Sequence, residues 1–322
     1  MCRTQSQIAR DFLDSANDSR RQPEQVRKTG EFVESVYLPW AQEQLKPSTL
    51  KEYRGIWQRH LKARVSDIWL RDVRTYDVNG WLQDIARQNR GLTVSSLQRV
   101  KSFISGVFTN AKNQGYFDGV NPVRDADLPK AAKGQKTHAY TLEEIDLMFT
   151  ALADDVPTST VIAVAAFVGL RRGEIRGLRW EEYNGVELNI VRAIWEGYVG
   201  ETKTEASGSE SEPATVPVIT PLRERLEQWR AASGNPISGW IFPSERNTPI
   251  HLGNLINRKI LPALKAAGLH WKGFHSYRRG LGTNLHELGV PAETIRLILR
   301  HSSVETTQRP TLSRARPKYR ER

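Results

Sequence analysis

The chain has 322 residues, with 47 Lys and Arg against 36 Asp and Glu, a formal charge of +11. That length suits two domains of ordinary size, each burying its own core, and the basic excess favours a polyanionic partner: nucleic acid or an anionic membrane surface. A single cysteine, Cys2, excludes an internal disulfide and a cysteine-built zinc site, and the seven histidines show no HExxH spacing, so neither a metal nor another cofactor is expected.

Residues 1–24 are polar and charge-mixed, carry no apolar signal core, and are assigned no function. From Phe32 the pattern is helical. In PSTLKEYRGIWQRHLKA, Thr49 and Glu52 have capping-box spacing, and Leu50, Tyr53, Trp57 and Leu61 share one face, leaving Lys51, Arg54, Arg59 and Lys62 off it. SSLQRVKSFISGVFTNAKNQGYF (95–117) forms a second helix. Its buried stripe is Leu97, Val100, Phe103, Ile104, Val107 and Phe108; its stop is Gly115; and Arg99, Lys101 and Lys112 are expected to be exposed. Two basic helix faces in one region point to nucleic-acid contact, with Lys51, Arg54, Arg99 and Lys101 as DNA-binding positions. The first domain is expected to be all helical over 25–125, followed by a Pro- and Ala-containing linker over 126–140.

The second domain is expected over 141–309. It opens on another capping box, Thr141 with Glu144, ahead of Ile145, Met148, Phe149 and Leu152. An apolar helix follows at 159–169. Its VIAVAAFVGL core is too short to span a bilayer and ends at Arg171 and Arg172, so no membrane partner and a cytoplasmic location are expected. VELNIVRAIWEGYV and ATVPVIT alternate as strands do, around a Ser/Gly/Glu loop, and helical patterns fill the rest. The fold class is therefore mainly α with a small antiparallel β-sheet.

Four stretches of this domain carry chemistry. GLRRGE offers Arg171, with Glu174 three residues on to orient it; TKT offers Lys203 at a hairpin loop; FHSYRRG sets His275 and Arg278 three apart on one helical face; LRHSS adds His301. Singly, each fits an ordinary surface or packing residue. In combination, two arginines can clamp the non-bridging oxygens of a phosphodiester, a lysine can protonate a departing sugar oxygen, and two imidazoles can move protons and bind the phosphoryl group. What this set lacks is a nucleophile.

The order Arg, Lys, His-x-x-Arg, His resembles that of the tyrosine recombinases, the phage integrase family. GLRRGEIRGLRW is similar to its first arginine box, FHSYRRG with ILRHSSVETTQR to its second, and the two basic helices to its core-binding domain. The resemblance spans about residues 30–310. It implies a helical core-binding domain ahead of a mixed α/β catalytic domain, the two clamping double-stranded DNA at a specific site. It also implies cleavage of one strand by a tyrosine through a 3′-phosphotyrosyl link, and exchange within a tetramer. Carried over, Arg171 and Arg278 would hold the scissile phosphate, Lys203 would be the general acid, His275 would occupy the general-base position and His301 would be the second histidine.

Three positions depart from the family pattern. Arg279 stands where a histidine is common, and Arg300 where a glycine is usual. The family's tyrosine follows the second histidine by about nine residues, and here that place is Pro310, which has no hydroxyl. Ser302 and Glu305 have capping-box spacing for a helix that Pro310 would end. Tyr319 is the nearest substitute nucleophile, in a basic tail, 310–322, whose Arg314, Arg316, Lys318, Arg320 and Arg322 suit contact with phosphates. Three readings stay open at this point: a recombinase with an impaired cleavage step, an accessory DNA-binding protein or inactive integrase relict occupying a recombination site, and an unrelated helical nucleic-acid binder.

Overall fold

The computed structural model describes residues 27–132, 134, 137–200 and 214–301. The chain divides into two compact units, with the boundary between Gln135 and Lys136. No helix among the described residues is long and apolar enough to cross a membrane.

The first unit is helical. Helix α1 runs from Thr29 through Phe32, a π-helical stretch at Val33–Tyr37, and Leu38–Gln44. Helix α2 comprises Pro47–Ile56, a second π-helical stretch Trp57–Leu61, and Lys62–Val65; α3 is Thr75–Gln88 and α4 is Val94–Asn113. The two π-helical stretches meet where the Trp57 indole donates to Glu34 Oε1 at 3.0 Å, and Lys62 pairs with the same carboxylate oxygen at 2.7 Å. Beneath them Tyr37, Tyr53, Trp57 and Phe103 form an aromatic cluster, with Tyr37 and Phe103 edge to face at 5.6 Å. The apolar stripe read from α4 is buried throughout.

Two details of this unit differ from the sequence reading. Thr49 does not cap α2: the helix starts at Pro47, whose fixed φ and missing N–H suit the first helical position, so Thr49 and Glu52 already lie inside it. Lys101 is half-buried rather than exposed, because its ammonium group reaches over to donate to the Ala126 carbonyl. At the end of α4, Gly115 takes φ +79° and lets Tyr116 N–H donate to the Ala111 carbonyl (2.9 Å) while its own N–H donates to Lys112 (3.1 Å), closing off the last turn.

In the second unit, α5 (Leu142–Ala151) carries the expected capping box: Thr141 Oγ1 accepts from Glu144 N–H, and Glu144 accepts from Thr141 N–H. Helix α6 (Val156–Phe167) is buried on all sides from Thr158 to Ala166, and its apolar run begins at Val161, as expected of a helix at the centre of its unit. Around it lie the short α7 (Arg172–Gly177), α8 (Thr220–Ala232), α9 (Leu252–Leu255, π-helical Ile256–Ile260, Leu261–Ala266), α10 (Phe274–Glu287) and α11 (Ala292–Leu299). Strand β1 (Glu187–Ile190) pairs antiparallel with β4 (Ala214–Pro217), Leu188 facing Val216, and β2 (Ala193–Trp195) pairs with β3 (Tyr198–Gly200). The β-content is thus two short antiparallel ladders.

Helix α10 is seated closely on the segment that precedes α5. A Cβ at Gly280 would stand 2.4 Å from the Tyr140 carbonyl oxygen, and the Tyr140 and Tyr277 rings lie 4.5 Å apart. Arg279, where the family often has histidine, donates to the His138 carbonyl at 2.8 Å and so fastens the same seam.

Candidate active site

Four chain segments of the second unit converge: the end of α6, the start of α7, the first turns of α10 and the end of α11. Each delivers its group for a local reason. Arg171 is the N-cap residue of α7, extended at φ −73°, ψ 153°, and Glu174 lies at the third helical position. Glu174 folds back so that one carboxylate oxygen accepts from Arg171 N–H (2.9 Å) and the other from Arg171 Nη1 (2.7 Å). The carboxylate therefore fixes both the backbone and the side chain of Arg171. Among the described residues, that is the only guanidinium donor of Arg171 in use; the side chain is 26% exposed, and its other N–H groups remain for a ligand.

Arg278, on α10, is only 2% exposed. Its Nη1 donates to the Gly169 carbonyl at 2.7 Å, its Nη2 to the Leu299 carbonyl, and its Nε to His301 Nε2 at 3.3 Å. Gly169 has φ +63°, and a Cβ there would meet Leu281 and Leu299 at 3.1 Å, so the chain end that receives Arg278 requires glycine. Burial, then the charges of Arg171 and Arg300, pull Arg278 down to about 9, against the pull of Glu174; it remains a cation at neutral pH.

His301 follows the last turn of α11, where Arg300 N–H and His301 N–H return to the carbonyls of Leu297 and Arg296, each at 3.0 Å. Because His301 Nε2 accepts from Arg278, the ring is neutral and carries its proton on Nδ1. Burial, with Arg278, Arg171, His275 and Arg300 adding like charge, drives the imidazole down to about 4, which agrees with that assignment. His275 stands one turn before Arg278 on α10, exposed where Arg278 is buried, and near enough to His301 to act on it electrostatically.

Of the residues singled out in the sequence, Arg171, His275, Arg278 and His301 therefore come together. Lys203, Pro310, Tyr319, the Ser302–Glu305 spacing, the basic tail and residues 1–24 lie outside the described residues. Lys51, Arg54, Arg99 and Lys101 belong to the other unit: Lys51 is exposed on α2, Arg54 donates to Gln42 at 2.7 Å, Arg99 pairs with Glu52 at 3.3 Å, and Lys101 is held as described above.

The sequence reading missed one member of the cluster. Arg300 was read only as the loss of a small residue. In the structure its side chain is 8% exposed, and its Nη2 lies 3.1 Å from Glu174 Oε2, across 126 positions of sequence. Burial pushes the Glu174 carboxyl up, but Arg300 and Arg171 together hold it below the ordinary range, so it stays ionised. The one sign in the sequence was an arginine where glycine is usual; the structure adds that Arg300 adopts φ 53°, ψ 50°, the left-handed conformation that glycine suits.

Comparison with known proteins gives the chain a family and a set of structural neighbours. The sequence model of the phage integrase family matches residues 140–315. A relative from Caldanaerobacter subterraneus subsp. tengcongensis, "Tyrosine recombinase XerC-like", is 24% identical over 81% of this chain and 73% of its own length. Among solved structures, a lambda integrase dimer bound to a COC' core site is similar with TM-score 0.66 and 20% identity, over 89% of this chain and 96% of that one. The Tn1549 transposon integrase in complex with a circular intermediate DNA is similar with TM-score 0.70 and 14% identity, over 88% and 94%. The chain belongs to the phage integrase family, the tyrosine recombinases.

Proposed function

We propose that this protein is a site-specific DNA recombinase whose second unit cradles one backbone phosphate, and that strand cleavage is impaired because Pro310 occupies the place of the attacking tyrosine. The observation that carries the cradle is the chain of contacts from Arg171 through Glu174 and Arg300 to the end of α11, joined there by Arg278 and His301. A guanidinium held by one bond, with its remaining donors open, suits a phosphodiester oxygen. A second, desolvated guanidinium beside it exerts more pull on charge growing at phosphorus than it would in water. No metal or other cofactor is needed for that stabilisation.

In this reading Arg171 and Arg278 hold the non-bridging oxygens. Lys203 protonates the departing sugar oxygen, and His275 takes the proton from the attacking hydroxyl. His301, neutral and accepting from Arg278 Nε, aims that guanidinium rather than donating a proton in the unliganded state. The helical unit, 25–125, adds Lys51, Arg54, Arg99 and Lys101 to the grip on double-stranded DNA. The linker is 126–140, the catalytic domain 141–309 and the basic tail 310–322. The lambda integrase dimer solved on a core site and the tetramer solved on a Holliday junction support a multi-subunit complex on DNA, in this reading a tetramer; the location proposed for it is the cytoplasm.

Covalent trapping tests the reading. Duplex sites recovered from a random library by the full chain are nicked next to the bound phosphate and incubated with the protein, and the product is resolved under denaturing conditions. The expected result is no DNA adduct with the parent chain and a stable adduct with Pro310→Tyr. An adduct on the parent that maps to Tyr319 would show that another residue attacks. No adduct with Pro310→Tyr would mean that the missing hydroxyl is not the only defect.

A further inference from the structure

We infer that Arg300 is a positioning residue of the phosphate site: by taking one oxygen of Glu174, it keeps that carboxylate from capturing Arg171 in a two-pronged pair and leaves Arg171 available to the DNA phosphate. The inference rests on the cradle reading above and adds a residue to it.

Arg300 occupies a costly position. A left-handed backbone is less favourable for a residue with a long side chain than for glycine, and a nearly buried guanidinium adds a desolvation cost. A surface arginine at a helix end would need neither. Two bonds define where the side chain goes: Nη2 to Glu174 Oε2 at 3.1 Å, and a long contact from Nη1 to the Ile298 carbonyl at 3.5 Å. Glu174 Oε2 already receives Arg171 N–H, so with Arg300 added that oxygen accepts two donors, neither of them from the Arg171 guanidinium. Only Oε1 is left for it, through Nη1 alone.

The charge count points the same way. Arg171, Arg278 and Arg300 set three guanidinium groups against the single carboxylate of Glu174, and His301 is neutral. The cluster thus has an excess of two positive charges in a largely buried setting, an arrangement that an anion relieves. With a small neutral residue at position 300, Glu174 would cancel half of the two remaining guanidinium charges. Arg300 therefore offsets the carboxylate that orients Arg171, so that orientation is obtained without neutralising the group being oriented.

The test uses the full chain and inorganic phosphate as the probe, followed through the Arg171 and Arg278 Nε–H resonances, with circular dichroism as the check on folding. Three variants separate backbone from charge. Arg300→Asn and Arg300→Gly tolerate the left-handed conformation but carry no charge, and Arg300→Lys keeps the charge. Both neutral variants are expected to bind phosphate about five- to tenfold more weakly than the parent. In both, the Arg171 resonance should also shift before any phosphate is added, as the carboxylate closes on it; a merely structural role for Arg300 would leave that resonance in place. Arg300→Lys should stay within about twofold of the parent. Neutral variants that are folded and bind phosphate as the parent does, or a lysine variant as weak as the neutral ones, would overturn the role given to Arg300 while leaving the cradle intact. A parent chain whose two arginine resonances do not respond to phosphate would overturn the cradle and this role together.

Discussion

Arg54, Arg99 and Lys101 of the helical unit stay near its surface, each answered by a neighbour in the same unit, whereas Arg278 and Arg300 of the second unit are drawn inward and tied across its fold. Arg54 meets Gln42, Arg99 meets Glu52 and Lys101 meets the Ala126 carbonyl. Each is a contact that water and salt can replace at little cost. Arg278 and Arg300 are nearly sealed from solvent and are compensated by the Gly169, Leu299 and Ile298 carbonyls, His301 and Glu174. The contrast teaches that a protein binding a polyanion can use two kinds of positive charge: a diffuse, exchangeable set for attraction and a fixed, desolvated set for acting on one phosphate.

The sharpest way to break this comparison is to remove the shared carboxylate. Glu174→Ala leaves Arg300 buried without its counter-charge, and the second unit is expected to lose about 3–5 kcal/mol of stability, read from the shift of its urea-unfolding midpoint. A loss no larger than that of a surface substitution would place the fixed cations in the same class as the diffuse ones. Next in size is Gly169→Ala, which puts a Cβ 3.1 Å from two leucine side chains at a left-handed residue and should cost about 1–3 kcal/mol, with weaker anchoring of Arg278.

A smaller effect is expected from acid. His301 is held neutral, with a midpoint moved from 6.5 down to about 4. A depressed folded-state value means that its contribution is complete above about pH 6.5, declines as the pH falls, and is gone below about pH 4, where the protonated ring can no longer accept from Arg278. An NMR titration of the imidazole should give a midpoint near 4; a midpoint at or above 6.5 would contradict the neutral assignment. Smallest for stability are Arg54→Ala and Arg99→Ala, each expected to change folding by less than about 0.5 kcal/mol. Each should weaken DNA binding and reduce the steepness of its salt dependence by roughly one unit.

What could be read from the sequence follows the same division. Apolar spacing located α4 and its buried stripe, and the Thr141–Glu144 box located α5, because those features are set by neighbours three or four residues away. The cap assigned to Thr49 was wrong for an equally local reason: Pro47 is the stronger start signal and lies two residues earlier. Arg171, His275, Arg278 and His301 could be grouped only through the order of the family's boxes, since nothing local ties α7 to α10 or α11. The Glu174–Arg300 pair, 126 positions apart, left no local trace in the sequence, and the one visible sign at position 300 was an arginine where glycine is usual. Lys101 looked exposed because helical spacing does not reveal a loop carbonyl 25 positions away.

The central claim is that Arg171 and Arg278 act on one phosphate of bound DNA. Methylphosphonate scanning tests it most directly: each phosphate of a bound duplex is neutralised in turn, and affinity is compared for the parent chain, Arg171→Ala and Arg278→Ala. The account expects one phosphate per protein at which neutralisation and arginine removal each weaken binding but do not add, the signature of a shared contact. Losses that add at every phosphate would show that the two arginines grip different places on the DNA, and the cradle would be refuted.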